Sequence, residues 1–562
     1  MALGGVPLTG TLGLAAPHHA PQYGSFAEEF QLLEFTHEFG KALPVALQGR
    51  SGSRGWFSRH IDQTSGRDIV LQQYYCRKMS NAIHPASPAL AEFTLLESWL
   101  ASAPATQLPL YAVESAQHAR GREVQRLLLQ AHLDQRGHGD VGPALAVLGP
   151  DGVTQHYTHR RLSARTITTI FGPVQIERLG YSQPGSHSVY PLDQALALPA
   201  RSFSYELQRH LVKAAVLNPF QESVTTIAEF TGVTVPKRSA EEIVRDAAQD
   251  FDAFYQQRLP EPDSGPILVA AIDCKGIPMV KPENNAPQAP RLTKGQKANR
   301  KRMATVAAVF TRQPWVRTPA QVIESLFRSR SKEESAGLPT PPRPEHKRVW
   351  ASLTKGKAAL IDEVSAEMQR RDPASTKTRL ALTDGERALQ TLVDQKLGVT
   401  LILDFIHVLE KLWKAAFVFH REGSLEAELW VLERALRVLS GEVSQVVKGL
   451  RQSVTKRQLS GAKRSTLLGV ASYLYRNRQR MRYDQYLANG WPIASGVVEG
   501  ACKNLIKNRM ERSGMRWTET MAEAVVKLRA VYLSGDFDNY WMFHILQEQN
   551  RLHANSSAVV PK

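Results

Sequence analysis

The chain predicts an α/β protein: a mixed sheet flanked by helices in its second half, an all-helical insertion there, and a mainly helical first half with a small β-hairpin. Three observations carry this. Short apolar runs at 267–272, 304–310, 379–383 and 399–403 have the length and composition of buried strands. Downstream, Leu409, Leu412, Trp413, Ala416 and Phe417 fall at the 0, 3, 4, 7, 8 spacing of one buried helix face. Between 144 and 181 the pattern changes to period two, with a Gly172-Pro173 turn between 166–171 and 174–179.

Taken in order, residues 1–24 are rich in Gly, Ala, Pro and His without periodicity and read as a disordered leader. The stretch 25–143 reads as helical. The module 144–200 holds the hairpin, which either packs on helices or grips a nucleic-acid backbone. In 201–260 a helix through 222–230 leads by Thr231-Gly232-Val233 to a second helix, started by Ser239-Ala-Glu-Glu242 as a capping box. Ala240, Ile243, Val244, Ala247 and Phe251 form its buried face. This pair is either a helix-turn-helix reader, with Lys237 and Arg238 facing phosphates or base edges, or an ordinary helical hairpin.

A Pro-rich break at 260–265 opens the second half, divided into a first core part (261–407), a helical insertion (408–490), C-terminal catalytic helices (491–545) and a tail (546–562). Two connections interrupt the core: a basic loop, 281–302, with Lys294, Lys297, Arg300, Lys301 and Arg302, and a charged, flexible link over about 328–347.

At 562 residues the chain is long enough for two to four domains. Its 70 Lys and Arg against 53 Asp and Glu, a net charge of +17, suit a polyanionic partner. Nine of the basic residues lie between 451 and 482 with no acid among them, which reads as a phosphate-facing surface. Three cysteines, Cys76, Cys274 and Cys502, form no CxxC pair, so neither a disulfide framework nor a thiolate zinc site is implied, and a reducing cytoplasm is expected. The first 40 residues hold no Lys or Arg, and no run approaches 18 apolar residues, so neither secretion nor a membrane span is expected.

The chemistry concentrates on carboxylates. Asp273 closes the run 267–272, and Asp384 closes 379–383, where Gly385 allows a sharp turn into the next helix. Neighbouring strands would let these two acids share a metal ion. Asp404 and His407, three apart at a helix start, put both side chains on one side, beside the place where Asp384 emerges. Glu499 opens a helix whose apolar stripe is Val498, Cys502, Leu505 and Ile506. Lys503, Lys507, Arg509, Arg512 and Arg516 follow it, with Glu511 the one nearby acid. Acids at two strand ends joined by one from a helix suit paired divalent cations and phosphodiester chemistry.

Four segments carry a resemblance: Asp-Cys-Lys-Gly-Ile-Pro at 273–278, Thr-Asp-Gly-Glu at 383–386, Asp-Phe-Ile-His at 404–407, and Ile-Ala-Ser-Gly-Val-Val-Glu-Gly-Ala-Cys-Lys-Asn at 493–504. With Asn-Arg-Met-Glu-Arg-Ser-Gly-Met-Arg-Trp at 508–517, the chain resembles bacterial insertion-sequence transposases of the ISKra type. The order of Asp, Asp, Asp-x-x-His and Glu is similar to the Mutator-like branch of the DDE transposases. The likeness is dense over 266–535 and sparser over 160–250.

The resemblance implies an RNase H-like core, with its first strand beside its fourth, and metal-dependent DNA cleavage and strand transfer in a nucleoid-associated bacterial protein. Asp273, Asp384 and Glu499 become the triad holding two Mg²⁺ or Mn²⁺ ions, Asp273 bridging both, for in-line attack on a DNA phosphodiester. Asp404 and His407 become an accessory pair, with His407 touching the scissile phosphate or a flipped base, and Trp517 stacks on an exposed base. The implied partners are the element's terminal inverted repeats, target DNA and a second or further copy of the chain. Some relatives carry cysteine pairs in the first half; 181–190 has none, so zinc is not expected. The rival readings are a DNA-binding regulator or inactive relative, and a structure-selective nuclease that cuts without joining.

Overall fold

The computed structural model describes residues 87–149, 152–259, 264–280, 301–327, 340–512 and 514–553. The leader, the reading of 25–86 as helical, the loop residues Lys294, Lys297 and Arg300, and the last part of the tail lie outside the described residues. The elements below belong to the unit formed by Ile83–His420 and Glu426–Lys562. Among the described residues no helix is long and apolar enough to cross a membrane.

Helices Pro88–Leu100 and Leu110–Gln135 precede two small sheets. Strands β1 (Leu145–Leu148) and β2 (Thr154–Tyr157), not foreseen individually, form one antiparallel pair. Strands β3 (His159–Thr169) and β4 (Gly172–Ser182) form the expected hairpin. Its turn is Ile170-Phe171 rather than Gly172-Pro173, because Thr169 pairs with Gly172 and its hydroxyl donates to the Gly172 carbonyl at 2.8 Å. The hairpin packs on helix Leu110–Gln135: Gln130 donates to the Gln175 carbonyl at 2.7 Å and accepts from its N–H at 2.8 Å.

Helices Tyr205–Leu217, Phe220–Thr231, Lys237–Ala247 and Phe251–Gln257 follow. Gly232, at φ +68°, ends the second of them in the left-handed conformation that favours glycine. The next helix begins two residues before the expected capping box, at Lys237, with Pro236 in the cap position and no side-chain cap bond. Ala240, Ile243, Val244 and Ala247 are buried, as their spacing requires, while Phe251 is buried from the following helix.

The second half is built on a five-stranded mixed sheet of β5 (Ile267–Pro278), β6 (Lys301–Arg312), β7 (Glu345–Ser352), β8 (Thr378–Thr383) and β9 (Thr400–Leu403), in the order β7-β6-β5-β8-β9. β5 pairs antiparallel with β6, and β6 with β7; β5 pairs parallel with β8, and β8 with β9. Central β5 is buried throughout 267–272, as an apolar strand covered on both faces must be.

β7 corrects the expectation of a flexible link up to 347. Its charges have partners remote in sequence: Arg348 bonds Glu367 at 2.6 Å and lies 3.7 Å over the Tyr255 ring. Helix Arg387–Lys396 connects parallel β8 and β9. After β9 come helices Phe405–Ala416, Leu425–Leu439, Val443–Lys456, Gly461–Asn477 and Tyr483–Ala488. Helix Gly496–Ala501 passes into a π-helical turn, Cys502–Lys507, and helices Glu519–Ser534 and Phe537–His553 close the described chain.

Candidate active site

Strand register brings the aspartates together. Ile272 of β5 stands opposite Thr383 of β8, and Thr383 opposite Leu403 of β9. Asp273, Asp384 and Asp404 are the next residue on each of these three chain segments. β8 and β9 stop there, but β5 runs on against β6, with Asp273 opposite Val306 and Pro278 opposite Lys301. Asp273 therefore lies inside its strand and not at its end. Its exposure comes from the loss of the neighbour on one side, which leaves it half-buried.

Each acid is oriented differently. Asp273 accepts from the Cys274 N–H at 2.6 Å and, with its other oxygen, from the Cys502 thiol at 3.2 Å. Asp384 accepts from the Glu386 N–H at 2.9 Å across a turn in which Gly385 has φ +90°. The backbone carbonyl of Asp384 accepts the Tyr473 hydroxyl at 2.8 Å. A Cβ at Gly385 would meet that hydroxyl at 2.7 Å and Leu403 Cδ1 at 2.9 Å, so only glycine fits.

Asp404 is buried and bonded to backbone on both sides. It is 2% exposed; one oxygen accepts from the Ile406 N–H and the other from the Ser495 N–H, both at 2.8 Å. The first bond caps helix Phe405–Ala416 and the second pins the entrance to the Glu499 helix. Asp404 thus positions two helix starts through backbone bonds to both of its oxygens.

Glu499 is half-buried, and its carboxylate has no hydrogen-bond or ion-pair partner among the described residues, Lys503 included. Burial pushes its carboxyl up to about 7, with Asp404, Glu410 and Asp273 acting in the same direction against the pull of His407. Burial works to lower the His407 imidazole, but Asp404, Glu410 and Asp384 outweigh it and leave it raised. Its Nδ1 lies 3.4 Å from Glu410. Asp273, Asp384, Asp404, His407 and Glu499 are thus electrostatic neighbours.

Among the described residues no three His, Cys, Asp or Glu side chains stand close enough to form a ready metal cage. In kind, however, the donors fit a hard divalent cation: carboxylate oxygens of Asp273, Asp384 and Glu499, none in an ion pair with Lys or Arg, in a chain otherwise rich in positive charge. Burial first, and the neighbouring acids after it, hold the Glu499 carboxyl high, and a cation there would offset both.

The basic candidates divide. Lys503 and Lys507 are exposed on the π-helical turn, and Arg512 and Arg516 are exposed beyond it, Arg512 within 3.3 Å of Glu222. Lys237 and Arg238 are exposed and pair with Glu241 and Glu242 on their own helix. Two assignments fail. Arg509 is fully buried: it donates to the Ala215 carbonyl at 2.9 Å and lies over the rings of Phe220 and Trp517. Trp517 is 6% exposed and its indole N–H donates to the Met510 carbonyl at 3.0 Å, so it packs the core and offers no face to a base.

Sequence reasoning missed Cys502 and Tyr473. Cys502 carried a signal, three residues past Glu499 on one helical face; Tyr473, 89 residues from Asp384, carried none. A scan against protein-family models found no match to this chain, and a search of curated proteins found none either.

Proposed function

We propose that this protein is a DNA-cutting and DNA-joining enzyme: a DDE-type transposase of an insertion sequence, with an RNase H-like core. The observation that carries the reading is the placement of Asp273 on β5 and Asp384 just past the end of adjacent parallel β8, each one residue beyond the paired Ile272 and Thr383, with Glu499 close enough for its carboxyl to feel Asp273. The first core strand, β5, lies beside the fourth, β8, which is the adjacency that the resemblance implies.

Asp273, Asp384 and Glu499 would hold Mg²⁺ or Mn²⁺. Bound there, a divalent cation supplies Lewis acidity and charge neutralisation to phosphodiester chemistry. The chain's own groups do the rest. Cys502 fixes the rotamer of Asp273, Tyr473 holds the Asp384 turn, and Asp404 sets the entrance to the Glu499 helix. His407, whose imidazole Asp404, Glu410 and Asp384 favour in its charged form, would face a phosphate entering beside Asp384. Exposed Lys503 and Lys507, on the turn after Glu499, offer further cations to the backbone.

The test is incubation of the purified full chain with the DNA that flanks its coding region, with Mg²⁺ or Mn²⁺ and with a chelator. Metal-dependent nicking and joined products are expected, with Asp273→Asn, Asp384→Asn and Glu499→Gln each lowering the rate by about 10³-fold or more while DNA binding persists. Binding without cutting under either metal makes the protein a regulator. Cutting without joined products makes it a nuclease.

A further inference from the structure

Resting on that DNA reading, we propose that helices Val443–Lys456 and Gly461–Asn477 form a docking surface for the phosphate backbone of duplex DNA, sequence-independent and leading to the Asp384 turn. Six basic residues here, Arg451, Lys456, Arg457, Lys463, Arg464 and Arg476, are exposed, and none forms an ion pair among the described residues. No acid lies between 451 and 482 to satisfy them locally. Exposed cations elsewhere include paired ones, as Arg238 is with Glu242 and Arg302 with Glu519. A run of unpaired cations this dense costs stability through self-repulsion unless a polyanion meets it.

Geometry selects the kind of contact. Tyr475 is 44% exposed, and two guanidinium groups lie over its ring: Arg478 at 4.2 Å and Arg451, from the neighbouring helix, at 5.1 Å. Arg478 also donates to the Tyr475 carbonyl at 2.9 Å. A ring engaged by guanidinium groups is an anchor for cations and not a platform for a base. Stacking restrains each long side chain and leaves its planar edge of N–H donors for a phosphate, so less rotamer entropy is lost on binding. The surface reads backbone charge, not sequence.

It also leads to the acids. On the same helix, Tyr473 carries Lys411 at 5.2 Å and Arg476 at 5.7 Å from its ring centre, while its hydroxyl bonds the Asp384 carbonyl. Cations therefore extend from the solvent face of the insertion to the turn that presents Asp384. A cluster of unpaired carboxylates repels a phosphodiester, and adjoining positive charge is what lets one approach.

The experiment measures binding of two labelled duplexes, one from the flanking DNA and one of scrambled sequence, to the full chain across a series of KCl concentrations. The double variant Arg451→Ala/Arg478→Ala should lose affinity by the same factor for both duplexes, with the salt slope falling by about two. Tyr475→Ala should weaken both alike and Tyr475→Phe should not, with circular dichroism reporting the fold of each. Wild-type protein that binds duplex while the double variant matches it in affinity and slope overturns this surface alone. Loss confined to the flanking duplex overturns its backbone character. Wild-type protein that binds neither duplex overturns the DNA reading itself, and an acidic polypeptide bound more tightly than either duplex overturns the choice of partner.

Discussion

Two glutamates placed on opposite sides of the same electrostatic rule divide this molecule into a part that is held and a part that is poised. Glu367 is buried among Arg348, Arg370 and Arg371, bonding Arg348 at 2.6 Å and Arg371 at 2.8 Å. Burial works to raise its carboxyl, yet the three guanidinium groups outweigh it and bring it down to about 2. Glu499 is also withdrawn from water, but its nearest charges are mostly acids, and its carboxyl stands at about 7. Charge in a protein interior is settled locally or left for a ligand to settle. The first cluster ties β7 to helix Lys357–Arg371; the second stores repulsion at the open edge of the parallel strands.

The largest effect expected from this contrast is in opposite responses to the same change. Glu367→Gln leaves three arginines short of their carboxylate and should cost about 3–5 kcal/mol of stability, read by chemical denaturation. Glu499→Gln removes an acid from among acids and should leave the midpoint unchanged or raise it.

The pH dependence sharpens the contrast in buffer with a chelator. Glu367, lowered from an ordinary 4.5 to about 2, contributes stability that is present above 4.5 and lost as pH falls toward 2. Glu499, raised from 4.5 to about 7, does the reverse: its contribution is full below 4.5 and lost as pH rises through 7. Melting curves of wild type and Glu499→Gln should therefore diverge between pH 4.5 and 7, and converge again on addition of Mg²⁺. Parallel curves over that interval would show that the Glu499 carboxyl is not raised.

Gly385→Ala comes next, since it combines a left-handed backbone with a Cβ 2.7 Å from the Tyr473 hydroxyl; a loss of about 1–3 kcal/mol is expected in thermal melts. Tyr473→Phe is the mildest. It deletes one hydrogen bond, worth about 1 kcal/mol, and should lower the cleavage rate with little change in duplex affinity. An affinity loss matching the rate loss would place Tyr473 in DNA binding instead of in the support of Asp384.

The sheet was legible where apolar runs were continuous, because a strand buried on both faces needs nothing else to declare itself: 267–272, 304–310, 379–383 and 399–403 all pair in it. β7 was hidden by Glu345, Lys347 and Arg348, whose charges discourage a strand until remote partners such as Glu367 are known. The site acids stood out because each follows an apolar run or opens a helix. Their supports did not, since Asp404 reaches Ser495 across 91 residues and Arg509 reaches Ala215 across 294. Basic type alone therefore misplaced Arg509 on the surface, and aromatic type alone misplaced Trp517 there.

The Tyr473 hydroxyl has a bearing on modularity. Because a side chain from the insertion is bonded to the turn that displays Asp384, the helices after β9 are not a cassette to be trimmed or exchanged at will. A transplanted or shortened version must bring its own hydroxyl to that carbonyl, or the Asp384 turn loses a strut supplied from outside the sheet.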